Sequence, residues 1–282
     1  MTAFFGMGLL GSNFVKALRR RGEEVRVWNR TSARAQALEA FGAKWFATAA
    51  EAVKGASRLH LTLNDDASVD EVLEAARPGF AAGLVIIDHT TTSVDGAIRR
   101  AKLWAGRGFP YLHAPVFMGP QNAHDASGLM VTSGDPALVA LVRAELAAMT
   151  GTLKEAGADP GRAAGLKLLG NLLFMTVVGG LRDVLSLAKT LRIGNAEVSQ
   201  LLGDLNAGAL VPLRFQRILT VDHTQPSWEL LMARKDAGLM VAEAEKGNLP
   251  LTVAPALAAV MDQWIAAGHG HDDWTVITKD AR

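Results

Sequence analysis

Lys167 and Asn171 stand four residues apart in the run GRAAGLKLLGNLLFMTVVGGLRDVLSLAK, residues 161–189. That spacing puts both side chains on one face of a helix. The surrounding run is apolar on every side, the pattern of a helix buried inside a protein. A lysine on such a helix is costly unless it is paired, solvated or used. Used, it is a site of shifted pKa. The alternative is a lysine that snorkels from the helix's first turn to water. The longest stretch free of charge, Leu168 to Leu181, has 14 residues. That is short for a bilayer, so the central helix of a soluble protein is expected here, and no membrane span.

The second chemical feature is Gly6-Met7-Gly8-Leu9-Leu10-Gly11, a G-x-G-x-x-G. A short apolar run, Ala3 to Phe5, precedes it, helical spacing follows from Ser12 to Arg20, and a strand pattern from Glu24 to Trp28 comes next. Strand, glycine loop, helix, strand is the context that a dinucleotide-binding loop requires. Gly6 permits the tight turn, Gly8 lets backbone approach a pyrophosphate, and Gly11 lets helix and strand pack closely. The helix start offers free N–H groups and partial positive charge to phosphates. At the end of the second strand an acidic residue would bind the ribose hydroxyls of NAD. This chain has Asn29, Arg30 and Thr31 there, with no acid between Val25 and Thr31. Arg30 can pair with a 2′-phosphate, and Asn29 and Thr31 can add hydrogen bonds. NADP(H) is therefore expected over NAD(H). Thr31 or Ser32 also suits the N-cap of a helix over 33–41.

The alternation continues through a strand over 44–46, a capping box Thr48-Ala49-Ala50-Glu51, a strand over 58–63, a helix over 67–76, an apolar strand over 84–88 and a helix over 94–105. Ligands of an open α/β sheet bind beyond the carboxyl ends of its strands. Leu63 and Asn64, and Thr90 and Thr91, are thus placed beside a cofactor, although threonines there equally suit helix caps. A strand over 111–114 leads to a loop, Pro115 to Pro120; two further strands, over 128–133 and 152–155, flank a helix that opens at Asp135-Pro136. A Gly/Pro/Asp-rich segment, 157–161, marks a boundary. After it every pattern is helical. The expected architecture is α/β: a Rossmann-type dinucleotide-binding domain over 1–158, then an all-α domain over 159–282 with a long central helix over 161–189.

Composition excludes other classes. Lys plus Arg number 29 against 28 for Asp plus Glu, so there is no basic footprint for nucleic acid. No cysteine is present, which removes disulfides and thiolate metal sites and fits a reducing cytoplasm. The N-terminus runs straight into the glycine motif without the charged segment and cleavage site of a signal peptide. His269-Gly270-His271-Asp272-Asp273 lacks a third positioned ligand, so a solvated loop and no metal is expected. Trp228, Trp264 and Trp274 suit core or subunit contacts. An apolar helix longer than one small domain needs points to a homodimer or homotetramer that shares it.

Taken together, the chain resembles the β-hydroxyacid dehydrogenase family, which includes 3-hydroxyisobutyrate dehydrogenases and tartronate semialdehyde reductases. The resemblance rests on the glycine loop, on Asp88-His89-Thr90-Thr91, and on His113-Ala114-Pro115-Val116-Phe117-Met118-Gly119 where the family has D-A-P-V-S-G-G. It rests further on Lys167-x-x-x-Asn171 and on Lys235-Asp236-Ala237 near the end. It implies that Lys167 is the catalytic general acid/base, that Asn171 orients the substrate, and that Lys235 reaches the cofactor. Seen on sequence alone, Lys235 equally fits a surface helix lysine. A desolvated lysine suits the role, because it can protonate an alkoxide formed by hydride transfer and stabilise that charge beforehand.

Phe117-Met118-Gly119 departs from the family's Ser-Gly-Gly, and His113 from its Asp. One hydroxyl is lost and two bulky apolar side chains are gained. This predicts a pocket for a small aldehyde or ketone with little carboxylate requirement, unless Gln121, Asn122 or a main-chain nest restores carboxylate binding. Two other readings stand beside this one. One is an imine reductase, of similar architecture but with Asp or Tyr usual where this chain has Lys167. The other is a non-catalytic NADP-binding module.

Overall fold

The computed structural model describes residues 1–281. Met1–Asn171 pack as one compact unit, and a second begins at Leu172. In the first, short apolar runs form strands β1 (Thr2–Phe5), β2 (Val25–Trp28), β3 (Lys44–Trp45), β4 (Arg58–Leu61), β5 (Val85–Asp88) and β6 (Tyr111–His113). They alternate with helices α1 (Leu9–Arg20), α2 (Ser32–Gln36), α3 (Ala49–Val53), α4 (Asp66–Ala76) and α5 (Val94–Gly106). The strands are parallel, in the order β3-β2-β1-β4-β5-β6. Chain order reverses between β1 and β4, which opens a crevice at their carboxyl ends. Thr2 faces Val25 on one side and Arg58 on the other.

Strand alternation divides the core between the two sheet faces. Phe4, Val27 and Ile87 pack with Phe14, Val15 and Leu18 of α1. Phe5, Leu59, Leu61 and Ile86 pack with Leu73 of α4 and Trp104 of α5. The expected helix starts shift little. Thr48 and Glu51 close the capping box on α3, and Asp65 caps α4. The helix expected over 33–41 divides into α2 and a 3₁₀ segment, Ala37–Phe41, ended by Gly42 at φ 82°.

The segment 115–120, read as a loop, contains a strand. β7 (Val116–Phe117) runs antiparallel to β8 (Leu129–Thr132), which runs parallel to β9 (Thr152–Glu155) in a separate three-stranded sheet. Helices α6 (Pro120–Asp125) and α7 (Pro136–Ala147) complete it. The expected boundary at 158/159 moves to 171/172. The first turns of the following helix, α8 (Arg162–Leu191), explain the move. Ala163 and Ala164 are buried, Ala163 N–H donates to Ser133 Oγ at 2.9 Å, and Gly161 lies against Val94 and Ile98.

A buried polar chain crosses the first unit. His89 Nδ1 donates to the Ala114 carbonyl at 2.7 Å, so its Nε2 accepts from His60 Nδ1 at 3.0 Å. One proton then lies between His60 Nε2 and Glu145 Oε1, 2.8 Å apart. Burial, then the charge of His60, draw His89 down to about 3. Below an unfolded value of about 6.5 the unfolded chain binds a proton that the folded chain refuses. His89 therefore contributes stability that is whole above that pH and is lost as pH falls toward 3. The loss is up to about 1.4 kcal/mol per pH unit. Denaturation midpoints measured at several pH values between 7 and 5 should fall, and His89→Gln should flatten the slope. An equal slope in the variant would contradict this reading.

From α8 onward the chain is helical: α9 (Asn195–Asp204), α10 (Ala207–Thr220), α11 (Leu230–Lys246) and α12 (Val253–Trp264), then a 3₁₀ segment, Trp274–Ala281. Pro212 falls inside α10, where it forfeits one backbone hydrogen bond. Asp183 of α8 accepts from the N–H groups of Thr252, Val253 and Ala254 and so caps α12. Arg234 forks onto Asp262 to tie α11 to α12. His269 pairs with Asp272 and His271 with Glu229, and Trp228 packs on Trp274 at 5.6 Å.

The expectation that α8 is buried is not met. Leu169, Leu172, Met175 and Val178 are more than half exposed, Met175 by 71%. An all-round apolar helix offers more surface than its own chain covers here. At 30 residues its length and composition alone would also permit a bilayer span, which the charge-free run of Leu168–Leu181 understated.

Candidate active site

The glycine loop closes β1 onto α1. Gly6 sits at φ 93°, a backbone conformation that L side chains rarely adopt. A β-carbon there would strike the Thr62 carbonyl, and one at Gly11 would strike the Gly6 carbonyl and Thr62 Oγ1. Thr62 Oγ1 donates to Gly6 O at 2.7 Å and locks β4 to the loop. Met7 is buried in the core beneath, whereas Leu9 is exposed and Leu10 half-buried. Gly8 differs from its neighbours: an added β-carbon meets nothing within 4 Å. It is the N-cap of α1, with no capping side chain, so the first N–H groups of α1 are left for an anion. The loop therefore fits the pyrophosphate of a dinucleotide. Gly8→Ala should leave thermal stability unchanged and weaken NADPH binding about 10- to 100-fold by titration calorimetry. Unchanged affinity would remove Gly8 from the site.

Two cavities meet at Gly8. One, of about 260 Å³, is lined by Gly6, Asn29, Arg30, Thr31, Leu63 and Asn64 among others. The other, of about 460 Å³, is lined by Met7, Leu9, Ser12 and Lys16. Arg34 lines both. Arg30 and Thr31 are exposed at the end of β2, and Thr31 occupies the N-cap of α2 without spending its hydroxyl there. Asn29 has two partners: its Oδ1 accepts from Met7 N–H at 2.8 Å and its Nδ2 donates to Thr31 O at 2.9 Å. It thereby holds the glycine loop while still lining the cavity at the end of β2. Arg34 was missed from sequence. The available signal was a second arginine one turn beyond Arg30.

At the end of β5, Thr90 Oγ1 accepts from Leu63 N–H at 2.9 Å, while Thr91 is exposed. Buried Asp88 accepts from Thr90 N–H at 2.9 Å and from Tyr111 O–H at 2.6 Å. His113 Nε2 donates to the Thr90 carbonyl at 2.8 Å, and burial holds that ring below its ordinary pKa. These bonds stitch the ends of β5 and β6 together.

Beyond them the structure brings three expected residues into one place. Lys167 is 9% exposed. Its Nζ donates to Asn171 Oδ1 at 3.0 Å and lies 4.3 Å from the centre of the Phe117 ring. The snorkelling alternative is thereby set aside. Burial pushes the Lys167 pKa down, the direction a proton donor near neutral pH requires. The side-chain amides that could have restored a carboxylate site already have partners. Asn122 Oδ1 accepts from Gly119 N–H at 2.9 Å, Asn122 Nδ2 donates to Ser127, and Gln121 donates to Asp125. Phe117 and Met118 are half-buried. Lys235 belongs to the second unit, on α11, exposed and paired with Asp236 at 2.9 Å.

Comparison with known proteins agrees with this geometry. Residues 1–157 match the family described as the NAD binding domain of 6-phosphogluconate dehydrogenase. The cytokine-like nuclear factor N-PAC of Gallus gallus is 27% identical over 283 residues, across 98% of this chain and 50% of that protein. The chain thus spans about half the length of that relative. Among solved structures, the reductive aminase of Aspergillus terreus in complex with NADPH and ethyl levulinate superposes with a TM-score of 0.91 at 25% identity. The imine reductase of Streptomyces aurantiacus gives 0.90 at 25%. Each covers 100% of this chain and 99% of its own. By its dinucleotide loop, its strand order and more than half of its length, the chain belongs to the NAD-binding domain family of 6-phosphogluconate dehydrogenase, the wider group to which its β-hydroxyacid dehydrogenase motifs pointed.

Proposed function

We propose that this protein is an NADPH-dependent oxidoreductase that reduces a small, apolar aldehyde or ketone, with Lys167 as its general acid. The observation that carries this reading is Lys167 itself: buried, turned to Asn171 and covered by Phe117, on the same unit as the dinucleotide loop. The cofactor, when bound, supplies a hydride to the carbonyl carbon. Lys167 stabilises the negative charge that grows on the oxygen and delivers a proton from Nζ to it. Asn171 fixes the ammonium's direction. Phe117 and Met118 exclude water and favour apolar substituents. Arg30, with Arg34 beside it, supports a 2′-phosphate and hence NADPH. The occupied amides of Gln121 and Asn122 support a substrate without a carboxylate. The test is NADPH oxidation with carbonyl pairs that differ only in a carboxylate. Neutral members should turn over faster; a clear preference for the acids would overturn the substrate class.

A second reading, an imine reductase, is favoured by the likeness to the imine reductase and reductive aminase structures. Lys167 then delivers its proton to the imine nitrogen instead of to a carbonyl oxygen. Supplying the same ketones with and without an amine separates the two.

The exposed apolar length of α8, together with exposed Leu213 and Phe215 of α10, supports a homodimer formed through these helices. Light scattering should give twice the chain mass, and Met175→Asp should shift it toward the monomer. A parent chain that is monomeric, or that partitions into vesicles, would contradict the dimer.

A further inference from the structure

Lys167 is buried against an aromatic ring and not against a carboxylate. The ammonium lies 4.3 Å from the Phe117 ring centre, inside the reach of about 6 Å over which a ring face attracts a cation. Burial disfavours its charge, and no carboxylate among the described residues is paired with it; its hydrogen-bond partner is the Asn171 amide. The histidines at the ends of the neighbouring strands bring no countercharge, and the Asp88 carboxylate there is taken up by Thr90 N–H and Tyr111 O–H. His89 and His113 are both pushed toward the neutral form by burial and donate to carbonyl oxygens. On its own helix the ammonium meets the neutral amide of Asn171.

The ring can lie there because residue 170 is glycine. A β-carbon at Gly170 would collide with Cε1 and Cζ of Phe117. Glycine is a poor choice for a helix interior, and here its missing side chain is the space the phenyl ring fills. We propose that Phe117 and Gly170 form a positioning pair for Lys167: the glycine makes room for the ring, and the ring face holds the ammonium charged and beside Asn171 in a site that offers it no carboxylate. Two residues on separate elements, β7 and α8, thereby set the state of a third.

The proton-transfer consequence rests on the general-acid role proposed for Lys167; the titration consequence does not. The test is therefore a titration read without turnover. Lysine labelled with ¹³C at Cε is followed by NMR in the whole chain, and the Lys167 signal is assigned by its loss in Lys167→Met. Phe117→Leu keeps the site apolar but removes the ring face, so the Lys167 midpoint should fall by about 0.5–1.5 pH units. Phe117→Tyr keeps the face and should hold the midpoint near that of the parent. Gly170→Ala displaces the ring and should reproduce the fall. Added to Phe117→Leu it should do nothing more, because the two changes remove one interaction.

Thermal melts check that each variant is folded. Alanine favours the helix, so a loss of structure in Gly170→Ala that Phe117→Leu relieves also supports the pair. A midpoint unmoved by Phe117→Leu would overturn the proposal, as would a fall of equal size in Phe117→Tyr. Additive shifts in the double variant would remove Gly170 from it. If the NMR midpoints move as stated and the alkaline limb of kcat/KM does not follow, the pair stands and the general-acid role of Lys167 fails.

Discussion

Lys167→Ala should lower the rate of NADPH-dependent carbonyl reduction by about 100- to 10,000-fold, the usual worth of a positioned general acid. NADPH affinity should change by no more than about twofold, because the dinucleotide loop lies on other elements. The split matters more than the size. Loss of the ammonium removes both the proton and the charge that meets the growing alkoxide, so the defect belongs in kcat as well as in kcat/KM. The parent's activity should fall as pH rises through the Lys167 pKa, which burial places below that of an ordinary lysine. Sign and cause agree: the charged form is the active acid, and burial disfavours it. The variant should lose that alkaline limb. Retained activity with the limb intact would assign the proton to another group.

Arg30→Ala should cost NADPH about 10- to 100-fold in KM, in line with a charge-assisted contact to a phosphate, and leave NADH nearly unchanged. Arg30 is exposed and free of a structural role in the core, so the fold should not respond. Arg34, which lines both cavities, should show a smaller effect of the same kind. Asn29→Ala should behave differently. It frees Met7 N–H and loosens the loop that both cofactors use, so NADPH and NADH should suffer alike. Steady-state kinetics with both cofactors distinguishes these patterns. Equal losses for NADPH and NADH in Arg30→Ala would remove the 2′-phosphate contact.

Much of this was legible before the fold was known, for identifiable reasons. The glycine loop declares itself because backbone geometry at Gly6 and close packing at Gly11 admit few other residues. Lys167 and Asn171 declare themselves because helical periodicity fixes which side chains share a face. What escaped notice depends on tertiary neighbours. Phe117 lies in a two-residue strand whose partner, β8, is more than ten residues on, so local pattern reads it as loop. The bond from Met7 N–H to Asn29 Oδ1 joins the ends of two strands that are 22 residues apart in sequence, which local pattern does not show. The domain boundary moved because Ala163 and Ala164, small and buried, dock the start of α8 on the first unit. The burial expected for α8 failed because periodicity reports apolarity and says nothing of what covers it.

Deuterium transfer tests hydride chemistry at this site most directly. Purified protein is supplied with NADPH carrying deuterium at nicotinamide C4, on either face in turn, and with the paired carbonyls. Products are read by mass spectrometry. The expected result is one deuterium on the former carbonyl carbon of a neutral aldehyde or ketone, from one cofactor face only, and none with Lys167→Ala on the same timescale. Tight NADPH binding with no deuterium in any product, with or without an added amine, would contradict an oxidoreductase and leave a dinucleotide-binding module.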